Sequence, residues 1–202
     1  MRLELAQPIG WATRGKLTSL AGNRADCLAV LDRAHYAYRL LPPLGGGMCL
    51  ADQRTIIASG QRHLVPLNPD GTAPSCAVSV SLLLWMRDIL QPIALHHFGQ
   101  RVVRIENLGS YNCRRIAGSG VYSEHATGNA IDITAFILAD GRQITLSRDW
   151  RATDSRGAFL HAVRDGSCGL FSTVLSPDFN AAHADHFHFD QADRAFGRAV
   201  CR

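Results

Sequence analysis

The sequence predicts an α+β fold in which an antiparallel sheet is flanked by helices and stapled by disulfides. Three observations carry this. Helical patterns dominate the first half of the chain and strand patterns the second, with hairpin turns between strands. Residues 77–98 form the longest periodic segment, with Val78, Leu82, Trp85, Met86, Ile89 and Ile93 recurring at helical spacing. Cys27, Cys49, Cys76, Cys113, Cys168 and Cys201 are widely spaced, and none sits in a C-x-x-C pair. They read as three disulfides of an oxidising compartment rather than a thiolate metal site; the alternative is six buried free thiols in a reducing one. Sequence alone leaves about 15 pairings open. Neighbour pairing (Cys27 with Cys49, Cys76 with Cys113, Cys168 with Cys201) is expected.

Taken in order, residues 1–25 read as an extended N-terminal arm punctuated by Pro8, Gly10, Gly15 and Gly22. A single domain follows at 26–202, with an accessory helix and loops at 26–75 and a catalytic core at 76–202. Asp26 can cap a helix running to about Arg39, which Pro42-Pro43 stops. Gly45-Gly46-Gly47 lacks the Lys-Ser/Thr of a phosphate-binding loop and reads as a turn. Residues 53–67 look like short strands, and Asn68-Pro69-Asp70-Gly71 is a turn. Pro92 should kink or divide the long helix, and His96-His97 at its end fit the surface or the helix dipole better than a metal. Strands are expected at 101–105 and 130–138, with Ala139-Asp140-Gly141 turning the latter into 142–146. Asp154 can cap a helix to about Asp165; strands near 172–175 and 185–190 complete the core.

The chain has 202 residues, 47% of them hydrophobic, which is enough for one sizeable core. The net charge of +4 comes without a Lys/Arg run or basic-aromatic alternation, so no nucleic acid partner is expected. Arg87, Asp88 and Pro92 interrupt the apolar stretch 78–95, so no membrane span is expected there. Met1-Arg2-Leu3-Glu4-Leu5 lacks a signal-peptide pattern. The export segment that an oxidising compartment requires is expected to be absent from this stretch of chain.

Two segments carry chemistry: Ser123-Glu124-His125-Ala126-Thr127-Gly128-Asn129-Ala130-Ile131-Asp132 and His183-Ala184-Asp185-His186-Phe187-His188-Phe189-Asp190. In a strand, residues two apart face the same way, so His186, His188 and Asp190 share one face and Phe187 and Phe189 bury on the other. Asp132 sits among Ala130, Ile131 and Ile133, where a carboxylate is costly unless a cation offsets it. Zn²⁺ is one such offset and an arginine salt bridge the other. Gly128 would permit an unusual turn between His125 and Asp132. A His, an Asp and a His-x-His are what a catalytic zinc takes from a protein, leaving one position for water. A general base must reach that water, and His186, pointing with His188, can.

Ser123-x-His125-x-x-Gly128-x-Ala130-x-Asp132 resembles the zinc motif of the D-alanyl-D-alanine metallopeptidases, a group that includes murein endopeptidases and the hedgehog signalling domain. Over residues 10–202 the chain looks like the bacterial extensin-like C-terminal domain family, through Ser110-Tyr111-Asn112-Cys113-Arg114, the His125 segment and Leu175-Ser176-Pro177-Asp178-Phe179-Asn180-Ala181-Ala182-His183. The resemblance implies His125, Asp132 and His188 as zinc ligands, His186 beside the reactive water, His183 as an additional active-site histidine and Arg114 as a group polarising the scissile carbonyl. Ser123 would bind substrate or cap its loop. Carboxypeptidase relatives use a Glu where this chain has Asp185, which is expected on the opposite strand face. His186 is therefore the expected base, and Glu124 is expected at the surface. The implied function is a periplasmic or extracytoplasmic zinc metallopeptidase cutting peptidoglycan stem peptides or cross-links, with a non-catalytic zinc-containing cell-wall or protein binding module as the alternative.

Overall fold

The computed structural model describes residues 2–194 and 198–202, and the fold is mixed α+β. Helix α1 (Thr13–Ala21) occupies part of what the sequence predicts as an extended arm. Leu17 and Leu20 are buried, so packing overrides the glycine signals around them. Helix α2 (Arg24–Arg33) is capped by the Asn23 side chain, which accepts from the Asp26 N–H. It ends six residues earlier than predicted because His35 adopts φ 57°, which a helix cannot continue through. Strands β1 (Tyr38–Leu40) and β2 (Thr55–Ile57) pair as a separate antiparallel ribbon, and β3 (Leu67–Asn68) follows.

Helices α3 (Cys76–Trp85) and α4 (Gln91–Phe98) are joined by a π turn, Met86–Leu90. Pro92 falls at the start of α4, so the wider turn absorbs it instead of a break. The continuous run Cys76–Phe98 is long and apolar enough to cross a membrane, with a hydropathy of 1.4, but 67% of that window is buried inside the protein. It is the core helix, and every residue of α3 is buried. At its end His96 is exposed and His97 packs against Phe159.

The remaining elements are β4 (Val102–Gly109), β5 (Ala130–Leu138), β6 (Gln143–Thr145), α5 (Leu146–Asp149), α6 (Ser155–Ser167), β7 (Thr173–Leu175), β8 (Phe187–Asp190) and β9 (Val200–Cys201). The main sheet has the order β3-β4-β5-β8-β7-β9, with β6 also pairing β5. It is antiparallel at its centre, but β3–β4 and β7–β9 are parallel, so the sheet is mixed rather than wholly antiparallel. One cluster of buried apolar residues runs from Leu3 to Phe189, so segment 26–75 shares the core of 76–202.

Three disulfides form, but two of the three expected pairs are wrong. Cys27 joins Cys76 and Cys49 joins Cys113, while Cys168–Cys201 is as expected. Cys27 lies on α2, which packs against α3 where Cys76 begins it. The pairing follows helix packing rather than closeness in sequence.

Candidate metal centre

The site stands on the two central strands. Asp132 of β5 is directly opposite His188 of β8, with Gly109 of β4 on its other side. Strand alternation sends Phe187 and Phe189 into the core, both fully buried. There Phe189 meets Phe171 at 4.8 Å and Trp85 at 5.6 Å. His188 and Asp190 are left to each other. His125 arrives on a short 3₁₀ turn, Glu124–Thr127. The Ser123 hydroxyl caps that turn by accepting the His125 N–H, and Gly128, at φ 69°, ends it. The left-handed φ is one that glycine adopts at no steric cost.

Three ligand-type atoms converge: His125 Nε2, Asp132 Oδ1 and His188 Nδ1. Their separations are 3.1 Å from His125 to Asp132, 3.0 Å from His125 to His188 and 3.0 Å from His188 to Asp132. Zinc bonds of about 2.0–2.1 Å place neighbouring ligands of a tetrahedral ion about 3.3 Å apart. The triangle is thus close to one face of such a tetrahedron. Each imidazole is also anchored by its other nitrogen. His125 Nδ1 donates to the Ser110 carbonyl at 2.8 Å, and His188 Nε2 donates to Asp190 Oδ2 at 3.0 Å. Such outer partners fix the tautomer and aim the free nitrogen. The donor set and its geometry fit a metal ion.

The charges agree. Burial raises the Asp132 carboxyl, but hydrogen bonds from His125 and His188 outweigh it and hold the group well below the carboxylate range. Burial lowers His188, yet Asp132 and Asp190 raise it to about 9. Asp190 is held low by His188 despite burial. In the metal-free protein His188 therefore carries a proton at neutral pH. Its raised pKa means its stabilising contribution is full below about pH 6.5 and is lost as pH rises through about 9. The depressed Asp132 works oppositely: its contribution is present above the ordinary carboxylate range and is lost as pH falls. A ligating imidazole must be neutral. Zinc binding at neutral pH is expected to release about one proton, read by calorimetry in two buffers of different ionisation enthalpy. No release would rule out His188 as a ligand.

Around the triad, His186 stands just before β8 with Nε2 at 3.7 Å from Asp132 Oδ1. Its Nδ1 meets Asp185 Oδ1 at 2.8 Å. Asp185 does not face away as predicted; it orients His186. His183 joins the cluster, with its ring 5.1 Å from that of His186 and 6.1 Å from that of His188. Burial, then the neighbouring imidazoles of His186 and His188, push His183 down to about 4, so it is neutral at neutral pH. Arg114 is exposed, and its charge reaches His183. Glu124 is not a surface group as predicted: it is half-buried, accepts from Asn129 Nδ2 at 2.7 Å, and burial raises its pKa. Sequence reasoning gives Asp190 and Ser110 no role. Asp190 could be found from its spacing, two residues beyond His188 on the same strand. The Ser110 carbonyl has no sequence signal.

Two recesses, of about 340 Å³ and 710 Å³, lie elsewhere and include no residue of this cluster. The three disulfides suggest an oxidising, extracytoplasmic environment. No curated protein and no solved structure matches the chain. A family model described as "Extensin-like protein C-terminus" matches residues 25–202. The chain belongs to that extensin-like C-terminal family.

Proposed function

We propose that this protein is a zinc metallopeptidase of the periplasm or an equivalent extracytoplasmic space, hydrolysing peptide bonds in the stem peptides or cross-links of peptidoglycan. The observation that carries the reading is the triangle of His125 Nε2, Asp132 Oδ1 and His188 Nδ1 with His186 Nε2 beside it. The motif's resemblance to the D-alanyl-D-alanine metallopeptidases and murein endopeptidases supports the substrate class.

His125, Asp132 and His188 would hold the ion. When bound, zinc supplies Lewis acidity and lowers the pKa of a coordinated water towards neutrality. The His186 Nδ1–H donates a hydrogen bond to Asp185, which leaves Nε2 as the acceptor nitrogen on the triad side. It is placed to accept a proton there from an attacking water. Arg114 supplies positive charge for the carbonyl oxygen of the scissile bond. His183, neutral, offers hydrogen bonding rather than charge. Ser123 has its hydroxyl in the cap of the His125 turn, which supports loop capping over substrate binding.

The 3.7 Å approach of His186 to Asp132 favours a second reading, a closed structural site with His186 as fourth ligand in a non-catalytic wall- or protein-binding module. His186→Ala separates the two. Zinc-loaded wild type and variant are incubated with purified sacculi, and the released muropeptides and zinc content are measured. The peptidase reading expects hydrolysis to fall on the order of 10²–10⁴-fold with zinc retained. Loss of zinc from the variant, or no zinc-dependent cleavage by the wild type, would overturn it.

A further inference from the structure

Two cross-linked loops border the triad. A hairpin at 44–51 is closed by the Leu44–Ala51 bridge, and a strap at 110–122 by the Arg115–Tyr122 bridge. The Cys49–Cys113 disulfide joins them, and the Tyr111 hydroxyl donates to the Cys49 carbonyl at 3.1 Å. Gly45, at φ 77°, lies where a Cβ would sit 2.2 Å from that hydroxyl and 2.3 Å from that carbonyl oxygen. Only glycine lets the loops close this tightly. The strap is tied in turn to the metal loop: the Asn112 N–H donates to the His125 carbonyl, and the Ser123 N–H to that of Arg114.

This rim has an unusual surface. Leu44, Met48, Leu50, Ile116 and Val121 are 40–69% exposed. Residues 44–51 and 110–122 include Arg114 and Arg115 but no Asp, Glu or Lys. Arg115 lies over the Tyr122 ring at 5.1 Å with its Nη1 on the Gly120 carbonyl. Five exposed apolar side chains on two loops tied together beside a buried polar cluster offer apolar contacts to a bound chain. A guanidinium fork matches a carboxylate in particular.

We infer that this rim docks an acidic peptide, seating its apolar side chains on the hairpin and strap and its carboxylate on Arg114 or Arg115. Two arginines without lysine are too few for a polyanion, whose affinity grows with each charge neutralised. With only Arg114 and Arg115 as cations, the rim lacks the Lys/Arg-rich face of a membrane-surface segment. The inference names the substrate class of the site proposed above and rests on that reading only for the cleavage that docking would lead to.

Docking is tested on the full chain stripped of metal, so that no turnover intervenes. Binding of a fluorescent alanine-rich peptide bearing carboxylates is compared with its amidated twin, with anionic phospholipid vesicles and with polyphosphate. The acidic peptide is expected to bind the stripped protein, and to do so roughly tenfold tighter than the amide. Arg115→Ala or the pair Met48→Ser/Val121→Ser should each weaken it roughly three- to tenfold, with the melting temperature unchanged. Equal binding of acidic and amidated peptides would overturn the proposal, as would binding only to vesicles or polyphosphate. Charge-selective docking without zinc-dependent cleavage of sacculi would keep this inference and sink the peptidase reading.

Discussion

Replacing His188 with alanine is expected to remove stoichiometric zinc and to destabilise the metal-free protein. Zinc sites gather about 10–16 kcal/mol from three or four ligands, so one ligand is worth roughly 3–4 kcal/mol, on the order of 10²–10³-fold in affinity. The second effect comes from the charges left behind. His188 lies between Asp132 Oδ1 and Asp190 Oδ2, at 3.0 Å from each. Those two side chains are only 13% and 4% exposed. Removing the imidazolium leaves both carboxylates without it, and breaking a buried pair this way costs about 3–5 kcal/mol. Metal analysis of the purified variant and thermal melts with and without chelator read the two effects separately. Zinc content equal to wild type would overturn the ligand assignment.

The second large effect is expected from the layer beneath the triad. Phe189→Ala removes a fully buried ring that touches Phe171 and Trp85. Aromatic truncation in a packed core costs about 3–5 kcal/mol, a large share of a stability of about 5–15 kcal/mol. For a chain of this size that is a fall in melting temperature of roughly 10 °C. Phe189 sits between His188 and Asp190, so the cavity should also loosen the centre. Phe189→Leu, which keeps most of the volume, is expected to restore most of both stability and zinc retention. A variant that melts like wild type would show that this layer does not support the strand.

Legibility tracks the range of the interactions. Strand β8 can be read because His and Phe alternate from His186 to Phe189, and a period of two needs no knowledge of the rest of the fold. Helix α6 announces itself through Asp154, whose side chain does accept the Arg156 N–H. Residue types and spacing point to a metal site in the two segments, and the motif's resemblance picks out His125, Asp132 and His188 within them. What cannot be read is tertiary. Helix α1 is held by Leu17 and Leu20 against the core, while Gly15 within it and Gly22 just after it point to a loop. Helix α2 ends at Arg33 because His35 turns left-handed two residues later, a conformation that its residue type does not announce. Strict alternation puts Asp185 on the wrong face, because His186 precedes the regular part of β8, where alternation does not hold. Glu124 reads as a surface group because its partner Asn129 is brought to it only by the Gly128 turn.

The cysteine connectivity has a consequence for how such a chain matures. The pairs Cys27–Cys76 and Cys49–Cys113 interleave along the sequence. A polypeptide threaded out N-terminus first exposes Cys27 and Cys49 together before either proper partner emerges. An oxidase acting on the nascent chain then makes the consecutive bond, which the folded protein does not contain. Reaching the native pairs from there requires a thiolate to attack that bond and exchange it through a mixed disulfide. Recombinant yield should therefore depend on a disulfide isomerase more than on oxidising power.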